Sequence, residues 1–155
     1  MILVTGATGH LGSAAVSHLM KNTDPQNIAV FVRDENKAVQ LKAAGVDIRI
    51  GDYELPSSLH AGLKVIKQLF LIPGRDARNR LQQHQNVIDA AKKAGVQHIV
   101  FAGMAMQDVN NSVVRPFLET ISKPRSTSKT VGSISLYYVM HYIPMVFQFL
   151  LARMY

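Results

Sequence analysis

Up to residue 103, short apolar runs alternate with stretches whose apolar residues recur at helical spacing. The runs 2–5, 27–32, 46–50, 67–72 and 97–103 are rich in β-branched and aromatic residues and read as strands. Between them, Leu11, Ala14, Ala15 and Leu19 mark one helix face. Residues 36–45 form a short helix that stops at Gly45, and residues 56–63 form a weak one. Residues 78–94 form the longest helix, with Leu81, Val87, Ile88 and Ala91 as its stripe and Gly95 just past its end. Strands separated by single helices are β-α-β units, which build a parallel sheet covered on both faces. The expected fold is therefore α/β, a doubly wound parallel sheet of the Rossmann type.

The alternation stops after Gly103. Residues 121–155 contain Lys123, Arg125, Lys129 and Arg153 and no acid. Within them, 134–152 is an uncharged, mostly apolar run. A membrane span needs about 20 apolar residues, but His141, Pro144 and Gln148 interrupt this run and insertion is not expected. The domain reading is a dinucleotide-binding unit at 1–120 and a basic, apolar tail at 121–155, so the sheet is expected to be incomplete at its C-terminal side.

Composition changes this picture little. The 155 residues are 48% hydrophobic and 17% charged, as in a globular domain. The chain has no cysteine, which excludes disulfides, thiolate metal sites and a cysteine nucleophile and suits the cytoplasm. "MILVTGATG" is not a signal peptide, since it lacks a basic leading region. A net charge of +7 admits anionic ligands, yet the cations are scattered, so no nucleic-acid partner is expected.

The chemistry-bearing stretch is "VTGATGHLGS", 4–13. Gly6, Gly9 and Gly12 give G-x-x-G-x-x-G between a strand and a helix. Gly6 permits a tight turn off the strand, Gly9 a close approach of backbone N–H groups to a pyrophosphate, and Gly12 close packing of the helix. The diphosphate would lie at the positive helix start, with Ala7, Thr8, His10 and Leu11 around it and the Thr8 hydroxyl as an extra donor. The end of the second strand selects between cofactors, an acid suiting NAD and a base NADP. Here Arg33 precedes Asp34, and Lys37 follows one turn on. A guanidinium binds phosphate bidentately, so NADP (as NADPH) is favoured over NAD, with Asp34 keeping NAD open. Asp52 and Tyr53 follow the third strand; Asp52 reads equally as an acceptor for the adenine amine or as a turn cap. Ile72, Pro73 and Gly103 end the fourth and fifth strands at the carboxyl edge, where ligands bind in such sheets. No catalytic residue is assigned and no metal site is expected. His10 and His84 read as a loop and a helix-face residue.

The pieces "TGATGHLG", "VRDENKA", "GDY", "LFLIPG" and "NVIDAAKKAGVQHIVFAG" together resemble the NmrA-like, atypical short-chain dehydrogenase/reductase family, in particular its NAD(P)H:quinone oxidoreductase-like members. The resemblance covers residues 1 to about 105. It implies a Rossmann domain of six or more strands, a smaller substrate-binding part, and nicotinamide-dependent reduction of quinones or related carbonyl compounds. Some members of the family instead bind NADP as non-catalytic sensors, which keeps a regulatory module or a non-functional fragment as the alternative. Tyr-x-x-x-Lys, the catalytic pair of the wider family, is missing, since neither Tyr137 nor Tyr138 is followed by lysine four residues on. After "FLET" the family pattern continues with Thr-Glu and Ser-Gly-Leu, whereas this chain reads "ISKPRSTSKTVGS". Residues 123–127 and 129–133 can be back-translated so that a neighbouring frame restores T-E-E-Y and D-S-G-L. The tail is therefore expected to be a frameshift product, with the sixth strand and the substrate lid lost, the sheet edge beside the fifth strand uncovered, and activity of the chain in doubt.

Overall fold

The computed structural model describes residues 1–74, 79–102 and the strand at 135–139. The expectations placed on Arg78, on the side chain of Leu81 and on Gly103 lie outside the described residues, as does most of the tail. The elements in chain order are β1 (Ile2–Thr5), α1 (His10–Asn22), β2 (Ile28–Val32), α2 (Val39–Ala43), β3 (Asp47–Ile50), α3 (Pro56–Gly62), β4 (Gln68–Leu71), α4 (Arg80–Ala94), β5 (His98–Ala102) and β6 (Ser135–Val139). Short 3-10 turns at Pro25–Asn27 and Glu35–Ala38 precede β2 and α2. The helix expected over 36–45 is thus half 3-10 turn. Asp34 starts it, its carboxylate accepting the Asn36 N–H at 3.0 Å. Gly45 stops it with φ +88°.

The six strands lie in the order β3-β2-β1-β4-β5-β6, and every pairing is parallel. This is the doubly wound order, which reverses direction between β1 and β4. The expectation of an uncovered edge beside β5 is overturned. Ser135–Val139 pairs there along its length, from His98↔Ser135 to Ala102↔Val139. The same pairing takes five residues of the uncharged run out of any single spanning helix. No helix among the described residues is long and apolar enough to cross a membrane.

Alternation along the strands sends side chains to two cores. Ile2 and Val4 pack with Val30, Ala15, Val16 and Leu19 on the α1 side. Leu3 and Phe31 pack with Leu59, Leu63, Val87 and Ile88 on the side of α3 and α4. The α1 stripe differs at two positions from the expected one, with Leu11 only half-buried. Val16 is buried and Ala14 is exposed, because the helix turns Gly12, Ala15, Val16 and Leu19 to the sheet. At the other end of the sheet, Arg49 on β3 donates to the carbonyls of Gly62 (2.8 Å) and Lys64 (2.6 Å), capping the end of α3.

Candidate functional site

The switch between β1 and β4 opens at the carboxyl ends of the strands, and the glycine loop fills one side of it. Thr5 closes β1 with its hydroxyl, which accepts the Ile72 N–H at 2.8 Å and so ties the end of β1 to the end of β4. Gly6 then takes a left-handed φ of +61°, and its carbonyl accepts the Gly9 N–H at 3.0 Å. The turn delivers the chain into α1 with Gly9 as the N-cap. No side chain caps this helix, and its first turn holds no acid. The leading N–H groups of α1 and the positive end of its dipole therefore remain available to an anion.

The three glycines are required for different reasons. At Gly12 a Cβ would strike the loop backbone, lying 2.6 Å from the Gly6 carbonyl carbon and 2.7 Å from Ala7 Cα. Helix α1 thus rests directly on the loop, and only glycine fits there. Gly6 needs its backbone freedom. Gly9 is different: its φ of −92° and ψ of 169° suit any residue, and among the described residues a Cβ would meet only the Gly6 carbonyl, at an ordinary 3.4 Å. Among the described residues nothing demands glycine at position 9. The space it leaves lies at an uncapped helix start, which fits a phosphate group as the occupant.

The opposite wall is built from side chains. Phe31 on β2 stacks on Tyr53, with ring centroids 6.0 Å apart and planes 10° from parallel. The Tyr53 hydroxyl reaches the Ile72 carbonyl at 3.4 Å. Burial pushes its pKa up to about 12, against the opposing effects of the Thr5 hydrogen bond and the Arg33 charge. Asp52 caps its own turn, Oδ1 accepting the Glu54 N–H at 2.9 Å. This is the second of its two expected readings, and it leaves the other carboxylate oxygen for a ligand. Arg33 is exposed at the end of β2, and Asp34 beside it is committed to the 3-10 turn.

Between the walls lies a cleft of about 310 Å³. Of the expected site residues, Gly6, Thr8, Arg33, Asp52 and Tyr53 line it. Ala7 is buried beneath the loop, while Gly9, His10 and Leu11 form the start of α1. Ile72 and Pro73 follow β4, with the Ile72 carbonyl and N–H engaged as described. Lys37 is exposed on the 3-10 turn and does not line the cleft. Phe31, Val32, Gly51, Glu54, Gly74 and Gln83 line it without having been expected. Gly51 and Gly74 carried a sequence signal as strand-ending glycines; Gln83 carried none, since it is one of several polar residues in the first turns of α4. His84 lies on α4, as expected, on its buried face. It meets Phe101 edge-on at 5.3 Å, and burial, aided by the Arg80 charge, lowers its pKa to about 4. Among the described residues no cluster of histidines or acids could hold a metal ion.

A doubly wound parallel sheet with a glycine turn leading into an uncapped helix at its switch point defines the Rossmann class of α/β proteins. The chain belongs to the NmrA-like family, whose sequence profile matches residues 1–151. It is 38% identical over 110 residues to quinone oxidoreductase 2 of Escherichia coli K12, an alignment covering 71% of this chain and 38% of that protein. Among solved structures it is similar to Citrobacter sp. triphenylmethane reductase complexed with NADP(H), at 39% identity and a TM-score of 0.67, covering 74% of this chain and 40% of that one. It is also similar to the E. coli NADPH-dependent quinone oxidoreductase complexed with NADPH, at 39% identity and a TM-score of 0.66, covering 67% of this chain and 37% of that one. The chain thus matches about two fifths of the length of these relatives.

Proposed function

We propose that this chain is the NADPH-binding part of an NmrA-like oxidoreductase. The observation that carries the reading is Gly9, a glycine that packing among the described residues does not require, at the uncapped start of α1. The diphosphate would meet the N–H groups from His10 onward, since the Gly9 N–H is held by the Gly6 carbonyl, with the exposed Thr8 beside them. Arg33 would take the 2′-phosphate, with Lys37 as a second cation at longer range. Asp34 spends one carboxylate oxygen on its cap and keeps the other, so NAD stays open and the preference for NADPH rests on Arg33. Asp52 and Tyr53 would face the adenosine half, and Ile72, Pro73 and Gly103 the nicotinamide half. When bound, the cofactor supplies the hydride; the chain's own residues bind it and exclude water from one side.

The relatives' names support a quinone or a related carbonyl compound as acceptor, and the absence of cysteine suits a cytoplasmic setting. Residues 121–155 remain, in this reading, a frameshifted segment that still supplies a sixth strand. Codons that cannot yield T-E and S-G-L in an adjacent frame defeat that part. The main test is calorimetry with NADPH and NADH, followed by an assay of NADPH oxidation with benzoquinones. Preference for NADPH with turnover supports the reading, and binding without turnover favours an NADP-sensing module. No heat with either nucleotide overturns both.

A further inference from the structure

Three amide side chains on one stripe of α4 and its cap reach across to the turn after β3. Asn79 and Gln83 donate to the same Glu54 carboxylate oxygen, at 3.3 and 2.9 Å, and Asn86 donates to the Tyr53 carbonyl at 3.0 Å. Positions 79, 83 and 86 share a helix face. The middle member, Gln83, is only 8% exposed, and its own carbonyl oxygen would lie 3.1 Å from a Cβ placed on Gly74, just past β4. Gln83 therefore spans the cleft floor from the β3 turn to the β4 turn, and both Gln83 and Glu54 line the cleft. A buried amide bonded to a carboxylate is a charge-assisted link, stronger than a neutral pair and costly to leave unmade.

We infer that Gln83 is a positioning residue for the adenosine half of the nucleotide, acting through Glu54 to hold the Asp52–Tyr53 turn at its working distance from Arg33. This rests on the NADPH-binding reading above. The bonded end of the link, Gln83 to Glu54, lies on the adenosine side of the cleft, and its other end only faces Gly74, whereas the diphosphate seat at the start of α1 is fixed separately by the contact of α1 with its loop. Loosening the link should therefore weaken one half of the ligand and leave the other alone.

The test uses the full chain, two half-ligands and one exchange of partners. Affinities for 2′,5′-ADP and for reduced nicotinamide mononucleotide are measured by calorimetry, with thermal melts alongside. Gln83→Glu sets a carboxylate against Glu54 and should weaken 2′,5′-ADP by roughly tenfold, the scale of one lost charge-assisted bond. Binding of the mononucleotide should change less than about twofold. Adding Glu54→Gln restores an amide–carboxylate pair with the roles reversed, and should bring 2′,5′-ADP back to within about threefold of the unmodified chain. A purely structural role predicts equal losses for both half-ligands, and that result overturns the inference. So does a Gln83→Glu chain that binds 2′,5′-ADP normally. If Gln83→Glu does not fold, a double variant that folds but stays weak for 2′,5′-ADP overturns it as well. An unmodified chain that binds no 2′,5′-ADP removes the NADPH reading itself, a failure distinct from the others because it precedes any substitution.

Discussion

The two walls of the cleft are made in different ways. The wall from Thr5 to Gly12 is backbone: three glycines, one left-handed turn and a helix start, all within one short segment. The wall from Gly51 to Glu54 is side chain: an aromatic pair, a turn-capping aspartate and a carboxylate held by amides 25 and 29 residues away. The first wall has no freedom to vary where the chain touches itself. The second can be retuned one contact at a time, and so is the place where preference among nucleotides can be set without disturbing the fold.

Substitutions within the first wall separate its two kinds of glycine. Gly12→Val drives a branched side chain into the Gly6–Ala7 backbone and is expected to destabilise the fold by about 3 kcal/mol while abolishing nucleotide binding, the range of severe overpacking. Urea unfolding and calorimetry read both effects. Gly9→Ala should leave the urea midpoint in place and lower NADPH affinity roughly a hundredfold, since its methyl group would overpack only against the ligand. Equal stability losses for the two would show that position 9 is also structural.

The second wall should respond in selectivity. Arg33→Ala is expected to weaken NADPH by about 2 kcal/mol, roughly thirtyfold, and to leave NADH almost unchanged. Titration with both nucleotides checks this, and parallel losses would place the arginine away from the 2′-phosphate. The support beneath this wall has its own pH signature at His84. Its pKa is lowered from 6.5 to about 4 by burial and by Arg80, so the unfolded chain binds the proton first as pH falls. Stability should therefore be full above pH 6.5 and fall by about 1–2 kcal/mol towards pH 4. His84→Gln should flatten that slope in unfolding curves taken across the window. The smallest effect belongs to a position outside both walls. Val65 is 75% exposed with φ +58°, a poor conformation for a β-branched residue. Val65→Asn should raise stability by about 1 kcal/mol without touching binding.

The same contrast explains what could be read from the chain. β1 was legible to the residue, and β2, β3, β4 and β5 to within one or two, because buried parallel strands are continuous apolar runs bounded by glycine or proline. The glycine wall was legible because its parts are adjacent in sequence. Glu54 and Gln83 were not, since neither has a local pattern that marks it and their meeting depends on packing α4 beside α3. Phe31 looked like one more strand residue, and only the fold shows that its ring reaches the cleft. β6 was hidden because "SLYYV" sits inside a long uncharged run, where periodicity cannot tell a strand from other apolar segments.

Phe31 has a consequence for how this protein can change over time. A Cβ at Gly51 would run into its ring, and one at Gly62 would lie 2.5 Å from it, so two glycines from separate elements leave room for a single aromatic side chain. Enlarging either glycine alone collides with the ring, and shrinking the ring alone opens a void. The three positions should therefore drift as a set among natural variants, each tolerating a new residue only after the others have made way.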